Sequence, residues 1–528
     1  MDGQAPAGGP LAGDRMFGQD GAAGALPPGP VLAALTAQAT ASAGSLTDDE
    51  LVGALQAARR LANLADYQQT VVIGEFARRR QAQFEAAKAA GVPVGCRSGE
   101  FPGEELAMEL LTTRGDAGAR IDAAVELTTR LPRTLAAMAA GAVDLARAST
   151  IAFHARALTD ADAARADEAL AAAAPGKRLD QLARKAAALE LKLAPEAVAA
   201  RKAIARQDRR VEARREQSGN ASLSGRELDT ADVIASKAYI DAIALRLRDA
   251  GLDGTLGQLR ALALTDLTQG RNPLDRIKPR PATPSGTGPV GDPVSDTGQA
   301  RPGEPAPLPA LINLLVPVGT LLGWSTAPGD AAGWGLLDTE ETGALVKATS
   351  THPRTRWCVT VIDADGSAIA HGCATGQHPW QGNAPPPTGR SSDSGTRDAP
   401  TQEQSARLFD LLKRLNVALE PVARDTCDHR HAEDRYVPGR KLKHLVRARN
   451  QTCTAPACNA QAVYSDLDHT VPHPDGPTCQ CNLTPKCRRH HRVKQAPGWN
   501  ATQPTPDTTT WTTPSGRTHT TTATAYDL

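Results

Sequence analysis

Residues 465–494 read SDLDHTVPHPDGPTCQCNLTPKCRRHHRVK, and this stretch decides how the rest of the chain is interpreted. Its polar side chains suited to a reactive site are, in chain order, Asp468, His469, Asn482, Cys487, His490 and His491. Cys453 and Cys458 precede the stretch with the spacing C-x4-C. Side chains of these types at this density, with Arg and Lys between them, predict chemistry on a charged substrate.

The composition predicts a large helical part. The chain has 528 residues, which is enough for about three domains. A hydrophobic fraction of 41% supports buried cores, and Ala, the strongest helix former, is abundant. The net charge of +1 selects no partner. Locally, residues 427–494 contain twelve Lys and Arg against six Asp and Glu, which favours a polyanionic partner.

Cysteine and histidine are concentrated in one region, since six of nine Cys and seven of twelve His lie between Cys427 and His491. A secreted disulfide scaffold would be shorter and would not mix Cys with His, so we expect metal binding in a reducing, cytoplasmic compartment. Residues 1–41 lack the features of a signal peptide. The uncharged apolar run at 308–324 contains prolines and is short for a membrane span, so we expect a buried strand and turn there.

Composition shifts divide the chain, and the predicted fold class is α+β with several domains. A capping box of Thr47 and Glu50 opens the helical pattern. Stretches rich in Pro, Gly, Ser and Thr, with few apolar residues, mark linkers. The predicted segments are a disordered tail at 1–44, a mainly α-helical domain at 45–270, a linker at 271–307, a small mixed α/β segment at 308–375, a second linker at 376–401 and a C-terminal domain at 402–528 with its core at 440–498.

Basic residues cluster towards the end of the helical domain. We expect a helix that begins at Pro195 and continues through the basic residues Arg201, Lys202, Arg206, Arg209, Arg210, Arg214 and Arg215. Short helices joined by Gly or Pro turns allow a helix-turn-helix that reads DNA. The alternative, which we favour, is a helical bundle with a solvated basic face. A short strand is expected after this helix, at 219–224.

The mixed segment predicts a β-hairpin. Predicted strands lie at 311–318, 357–362 and 369–371, and predicted helices at 339–349, 402–419 and 440–449. His371, Cys373 and His378 lie near the hairpin. We interpret them as incidental residues rather than metal ligands.

Two short pairs of residues predict a structural zinc site. Cys453 and Cys458 form a C-x4-C pair, and Cys487 and His490 form a C-x2-H pair. Structural zinc takes four tetrahedral N or S ligands, and short spacings supply two ligands from one turn. The ion would supply folding energy that a small, loop-rich region otherwise lacks. Free cytosolic cysteines are the alternative.

The last helix is expected to present two different faces. Thr484 and Pro485 are typical of an N-cap and a first helical position, so we expect a helix from there to about residue 494, preceded by a strand at 462–469. Adjacent residues on a helix point about 100° apart. His490 can therefore bind the zinc while His491 faces the strand.

Phosphodiester hydrolysis needs the groups that this arrangement supplies. Asp468 and His491 would hold a second ion, and a cation stabilises a crowded phosphate and its leaving oxygen. His469 is suited to take a proton from water, because the ordinary pKa of His, about 6.5, lies near working pH. The basic side chains that would contact flanking phosphates are Arg440, Lys441, Lys443, Arg447, Arg488, Arg489, Arg492 and Lys494.

Residues 453–494 resemble the HNH, or ββα-metal, endonuclease motif. His469, Asn482 and His491 match its three named positions, and Asp468 matches the metal-binding residue before the first His. The resemblance implies a zinc-stapled ββα domain that cuts DNA, with His469 as general base and Asp468 and His491 as ligands of Mg²⁺ or another divalent ion. It implies metal binding or loop bracing for Asn482, of which we favour bracing. Gly476 keeps one flexible residue where many members have Gly-Gly.

The helical region resembles the family called domain of unknown function 222, which commonly precedes HNH in bacterial proteins of the 13E12 repeat type. The stretches that carry the resemblance are AVELTTRLP at 124–132 and GAVDLARA at 141–148. This likeness implies an architecture more than a purpose.

Several alternatives stay open at this level. Residues that would form a further zinc site, or are merely tied to the loop, are Cys427, His429, His431, Cys479 and Cys481. Cys479 or Cys481 would otherwise replace a ligand of the first site. The alternative for the whole region is a catalytically inactive, zinc-dependent nucleic-acid-binding protein. Double-stranded DNA is the expected partner, a membrane is not, and a homodimer has no support in the sequence.

Overall fold

A computed structural model describes residues 16–277, 313–332, 334–349, 355–375 and 401–526, apart from the side chains of residues 347 and 348. The chain forms two compact units. Met1–Val198 and Asn313–Leu528 belong to the first unit, and Ala199–Ile312 to the second. The structure thus differs from the prediction of one helical domain over 45–270, because its larger part clusters with the C-terminal region.

The N-terminal part of the first unit is helical. Its helices are α1 (Ala22–Ala25), α2 (Pro30–Ala41), α3 (Asp48–Ala89), α4 (Pro102–Leu110), α5 (Arg114–Arg130), α6 (Pro132–Ala139), α7 (Leu145–Ala155), α8 (Asp160–Ala173), α9 (Leu179–Leu193) and α10 (Pro195–Ala205), the last of which crosses into the second unit. The predicted capping box of Thr47 and Glu50 at the start of α3 is confirmed. Leu127, Ile151 and Leu170 lie in the buried core that α5 to α9 share.

The prediction of a disordered tail at 1–44 is wrong for its described part. Residues 16–44 include α1 and α2, and Phe17 and Leu32 are buried in a cluster with Ala57 of α3. The Gly, Ala and Pro content suggested too little apolar surface, yet a few apolar side chains against a long helix suffice to order the segment. Residues 1–15 lie outside the described part.

The second unit contains β1 (Arg210–Arg215), β2 (Ala221–Arg226), α11 (Thr230–Asp249), α12 (Leu256–Thr268) and a 3-10 turn at Pro273–Ile277. The predicted basic helix ends at Ala205, and Arg210, Arg214 and Arg215 lie on a strand that pairs antiparallel with β2. Strand pairing has overridden the helical propensity of the Arg-rich run, so this segment supplies no recognition helix. The expected strand at 219–224 is confirmed with shifted bounds. Pro273 is buried, and residues 278–307 of the predicted linker lie outside the described part, as do the first five residues of the predicted mixed segment.

The segment at 313–375 joins two small antiparallel sheets. Its elements and those that follow are β3 (Leu314–Leu315), α13 (Val318–Leu322), β4 (Gly329–Ala331), β5 (Gly335–Leu337), α14 (Thr339–Thr349), β6 (Cys358–Ile362), β7 (Ala368–Cys373), α15 (Gln402–Leu415) and β8 (Glu420–Pro421). The sheets have the orders β3-β4-β5 and β6-β7-β8, and the expected hairpin is β6-β7. Of the strand expected at 311–318, the structure shows Leu314–Leu315 as β3.

No described helix has the length and apolar character to cross a membrane. The second predicted linker, at 376–401, lies outside the described part except for Thr401.

The C-terminal part has the order helix, two strands, helix, three strands. Its elements are α16 (Arg440–Arg449), β9 (Asp466–His469), β10 (Leu483–Lys486), α17 (Arg488–Val493), β11 (Asn500–Thr505), β12 (Thr508–Thr512) and β13 (Thr518–Thr522). Strands β9 and β10 pair antiparallel, with Asp468 opposite Thr484. The sheet β11-β12-β13 buries Trp511, which shares a core cluster with Val493 of α17.

The prediction that Thr484 and Pro485 start the last helix is wrong. Residues 483–486 form β10 and are all buried, and the helix starts only after Cys487. Likewise, residues 462–464 form a 3-10 turn, so the strand expected at 462–469 is only its last four residues. Proline is tolerated on a strand whose N–H side has no partner, as in this two-stranded ribbon.

Candidate metal centres and candidate active site

The structure brings together the four residues predicted for a structural zinc. Cys453, Cys458, Cys487 and His490 place their ligand atoms within 4.8 Å of one another. The His490 Nδ1 atom lies 3.2 Å from Cys487 Sγ and 3.6 Å from Cys453 Sγ. Cys453 and His490 are buried next to Trp511. Three sulfurs and one imidazole in a closed setting fit a metal ion such as zinc.

A second group of potential metal ligands includes two cysteines that come just before Asn482 in the sequence. Cys427, His429, Cys479 and Cys481 also place their ligand atoms within 4.8 Å. His429 Nδ1 is 3.6 Å from both Cys479 Sγ and Cys481 Sγ. His431, the fifth candidate, lies outside this group, with Nε2 3.2 Å from a Glu420 carboxylate oxygen. Cys479 and Cys481 therefore do not replace a ligand of the first group.

A third group was not expected from the sequence. Cys358, His371, Cys373 and His444 place their ligand atoms within 4.8 Å of one another. The interpretation of His371 and Cys373 as incidental residues did not foresee this grouping. The hairpin β6-β7 packs on α16, and this packing brings His444 to them. His378 lies outside the described part of the chain.

Asp468 and His491 meet on a different face of α17 from the zinc-type group, because His490 and His491 point about 100° apart. His491 Nε2 lies 3.2 Å from Asp468 Oδ1, and His491 Nδ1 lies 3.0 Å from Asp466 Oδ2. The imidazole therefore lies between two carboxylates of one strand. Hydrogen bonding to Asp468 raises the pKa of His491, burial opposes this, and Asp466 adds to the rise. The Asp468 carboxylate and the Nε2 atom of His491 are donors that a divalent cation accepts, while Asp466 orients the imidazole from Nδ1.

Two ammonium groups already accompany the Asp468 carboxylate. Lys494 Nζ lies 2.6 Å and Lys486 Nζ 3.3 Å from Asp468 Oδ2. Burial would raise the pKa of Asp468, but His491 and the two lysines outweigh burial and hold that pKa well below its usual range. Lys486 is fully buried, and its burial lowers its pKa to about 8 despite the nearby carboxylate. Asp468 is thus ionised and strongly paired.

His469 follows Asp468 on β9 and is buried. Its Nε2 is 2.7 Å from Thr478 Oγ1, and the Tyr436 ring stacks on it with ring centroids 5.3 Å apart. Within the described part of the chain, Nδ1 makes no hydrogen bond. Burial lowers the pKa of His469, which favours the neutral imidazole. A neutral His with one nitrogen anchored and the other free has the form of a general base.

Asn482 braces the loop between β9 and β10. Its Oδ1 accepts the Val471 N–H at 2.8 Å, and its Nδ2 donates to the carbonyl oxygens of Val471 and Pro477 at 2.9 and 3.0 Å. The buried Arg449 donates to the carbonyls of Gln480 and Leu483 at 2.8 and 2.7 Å, which fixes the same loop from α16. The side chain of Asn482 has its polar atoms satisfied by backbone, as expected of a bracing residue.

The basic candidates differ in how their charges are used. Lys441 pairs with Glu420, Arg488 with Asp466, and Arg447 approaches the Ser465 carbonyl. Lys494 is held at Asp468. Arg440, Lys443 and Arg492 form no ion pair within the described residues, so their charges are the ones most available to a polyanion.

Arg489 contacts the helical part of the same unit. It forms an ion pair of 2.6 Å with Glu104 of α4, and its guanidinium lies 4.7 Å from the Phe101 ring centroid. Glu105 accepts the Ser515 N–H at 3.0 Å and pairs with Arg80 of α3. Both glutamates are buried. A cleft of about 660 Å³ lies beside this interface and the Cys453 loop, away from Asp468 and His469.

Three residues of the candidate active site were not predicted from the sequence. Asp466 and Thr478 contact His491 and His469, and Lys486 contacts Asp468. The D-x-D spacing of Asp466 and Asp468 was a usable signal, because alternate residues of a strand share a face. Lys486 and Thr478 carried no comparable signal, since the loop and the β10 pairing position them.

Comparisons with known proteins support the predicted family resemblance only for the helical part of the chain. Residues 56–246 match the family described as "Domain of unknown function (DUF222)", so this part of the expected resemblance is confirmed. No HNH family matches the chain. No solved structure matches it either.

Two mycobacterial proteins match a short stretch. "Uncharacterized protein Rv3776" of Mycobacterium tuberculosis (strain ATCC 25618 / H37Rv) is 43% identical over 91 residues, which are 17% of this chain and 18% of that protein. "Uncharacterized protein MT2160" of Mycobacterium tuberculosis (strain CDC 1551 / Oshkosh) is 44% identical over 91 residues, 17% of this chain and 16% of that protein. The chain thus matches less than a fifth of the length of these relatives, and it carries a DUF222 match over residues 56–246.

Proposed function

We propose that the C-terminal part is a metal-dependent endonuclease of the HNH type that hydrolyses phosphodiester bonds in double-stranded DNA. The observation that carries the proposal is the meeting of Asp468 and His491, 3.2 Å apart, next to His469 with a free Nδ1. A structural zinc module would have no use for this second set of polar residues on the other side of α17.

Each residue of the set has a role in this proposal. His469 takes a proton from the attacking water at Nδ1, while Thr478 fixes the ring through Nε2. Asp468 and His491 hold a divalent ion such as Mg²⁺, which supplies positive charge to the phosphate and the leaving oxygen. Asn482 keeps the loop before β10 in place. Arg440, Lys443 and Arg492 contact flanking phosphates.

A second candidate function rests on the lysines at Asp468. Lys486 and Lys494 already neutralise this carboxylate, so the charge that a divalent ion would bring is partly supplied by the chain itself. This arrangement favours a zinc-dependent protein that binds nucleic acid without cutting it. Such a protein would show salt-dependent DNA binding but no cleavage with any divalent ion.

Plasmid cleavage separates the two functions. The full chain, incubated with supercoiled plasmid and Mg²⁺ or Mn²⁺, is expected to give nicked or linear product. We expect His469→Ala to reduce the cleavage rate at least a hundredfold, the effect typical of losing a general base. Zinc content and the thermal melting curve of the variant should equal those of the parent.

His473→Ala is the control, because His473 lies in the loop that follows β9 and its side chain makes no hydrogen bond within the described residues, although its ring lies near that of His469, with centroids 5.8 Å apart. It should cut like the parent. Cleavage by His469→Ala at the parent rate would refute the assigned base. Binding of DNA by the parent without cleavage in either metal would favour the second function.

A further inference from the structure

The group of Cys358, His371, Cys373 and His444 comes from three elements of the first unit. Cys358 begins β6, His371 and Cys373 lie on β7, and His444 lies in the middle of α16. Cys358 is paired directly with Cys373 in the hairpin register, and Thr360 with His371. Because alternate residues of a strand share a face, all three hairpin members point to the side on which α16 packs.

The ligand atoms of this group converge. Cys373 Sγ lies 3.1 Å from His444 Nδ1, and Cys358 Sγ lies 3.6 Å from the same atom. The two sulfurs are 3.3 Å apart. Sulfurs on one tetrahedral zinc lie about 3.8 Å apart, given Zn–S bonds of about 2.3 Å. The Sγ–Sγ distance in the group of Cys427 and Cys479, at 3.5 Å, is similar.

His371 supplies an independent observation. Its Nδ1 lies 2.8 Å from Thr360 Oγ1, while its Nε2 is buried and has no hydrogen-bond partner among the residues that the structure describes. The whole residue is only 9% exposed. Buried polar atoms without a partner are rare, and each one needs an explanation. A metal bound at Nε2 provides that explanation, and the hydrogen bond at Nδ1 is the one that metal-binding histidines normally make.

A disulfide between the paired cysteines explains less. It would account for the two sulfurs but would leave His371 Nε2 unpaired and give His444 no role. Eight of the nine free cysteines lie in three four-residue groups, and the ninth, Cys96, is exposed and alone. The first two groups have three Cys and one His each, whereas this one has two of each.

We propose that Cys358, His371, Cys373 and His444 form a further structural zinc site. The ion fastens the β6-β7 hairpin to α16, the helix that leads directly into the Cys453 loop. With four protein ligands the site has no open position, so it takes no part in catalysis. The proposal does not depend on nuclease activity.

Thiol protection in the parent chain tests the site. The full-length protein, purified without chelator or reductant, is treated with iodoacetamide before and after EDTA, and the modified cysteines are mapped by mass spectrometry. We expect Cys358 and Cys373 to be protected before EDTA and modified after it, although Cys358 is exposed to solvent. Cys96 should be modified in both samples.

Two results would overturn the proposal. One is modification of Cys358 and Cys373 at the rate of Cys96 without chelator. The other is a Cys358–Cys373 disulfide, seen as two cysteines that react only after reduction and not after EDTA alone. Both readouts use the parent chain, so they do not depend on whether a variant folds.

Zinc stoichiometry provides the second measurement. The double variant Cys358→Ser and Cys373→Ser should contain one zinc fewer per chain than the parent, whereas Cys96→Ser should lose none. His444→Cys replaces one ligand by another and should keep the parent zinc content, while His444→Ala should lose one ion. An unchanged zinc content in the folded double variant would contradict the site.

Discussion

Helix α17 separates two polar clusters of opposite character. On one side, Cys487 and His490 join Cys453 and Cys458 in a closed group of sulfur and nitrogen ligands, the soft group, which lies next to Trp511. On the other, His491 meets Asp468 among hard oxygen donors and two lysines. In the first cluster, four protein side chains would fill every ligand position of a tetrahedral ion. In the second cluster, the side chains form ion pairs with one another, and a bound ion or substrate can take the place of one partner.

The difference shows how one short helix can serve stability and chemistry together. Adjacent residues point about 100° apart, so His490 and His491 belong to different clusters although they are neighbours in sequence. Cys487 of the soft group is the N-cap residue of the helix, and its carbonyl accepts the His491 N–H at 2.9 Å. The candidate active site therefore depends on the zinc-type group for its geometry.

The largest expected effect comes from opening the soft group. Cys487→Ser should remove one zinc per chain and unfold the region around α17, because structural zinc contributes about 10 kcal/mol or more, comparable with the whole stability of a domain. Zinc analysis and limited proteolysis of the C-terminal part measure both effects. Cys96→Ser is the control and should change neither. A Cys487→Ser variant with parent zinc content and protease resistance would show that this group holds no ion.

The soft group was predictable because its signal is local. The pairs C-x4-C and C-x2-H name Cys453, Cys458, Cys487 and His490 without knowledge of the fold, and the structure brings these four together. Strand β10 was not predictable in this way. Thr484 and Pro485 have the local chemistry of a helix start, but pairing with β9 across a loop decided their conformation.

The Cys358 group was missed for the same reason. Its members lie as far apart in sequence as Cys358 and His444, and only packing of the hairpin on α16 unites them. The helical part behaved differently, because periodicity and caps are local. The helices predicted at 339–349 and 440–449 are confirmed as α14 and α16, whereas Arg210–Arg215 of the Arg-rich run form a strand through pairing with β2.

Asp466 gives the next expected effect, now on the hard cluster. As a positioning residue it accepts the Nδ1 proton of His491, and loss of such a partner typically lowers metal affinity about 10-fold to 100-fold. Asp466→Asn should therefore need more Mg²⁺ or Mn²⁺ for half-maximal cleavage, with a smaller change in rate at saturating metal. A metal titration of plasmid cleavage measures both values.

Asp475→Asn is the control for Asp466→Asn, since Asp475 is an exposed loop carboxylate with the same change in charge. It should titrate like the parent. An unchanged metal requirement in Asp466→Asn would show that Asp468 alone orients His491. Loss of zinc in Asp466→Asn would instead place its effect on the fold of β9.

The smallest expected effect distinguishes the two candidate functions. Lys486 is a fully buried ammonium 3.3 Å from Asp468, and its like charge opposes a divalent ion at that carboxylate. Lys486→Met keeps the length of the side chain and removes the charge, so we expect about tenfold tighter binding of Mg²⁺ or Mn²⁺, measured by calorimetry. Stability should stay within about 1 kcal/mol of the parent, because Lys494 and His491 still pair with Asp468. Lys443→Met, which removes a charge on α16 that forms no ion pair with the described residues, should leave the affinity unchanged. If Lys486→Met binds the ions no more tightly than the parent, Asp468 is a structural carboxylate whose partners are the lysines, and the nucleic-acid-binding function is favoured over the nuclease.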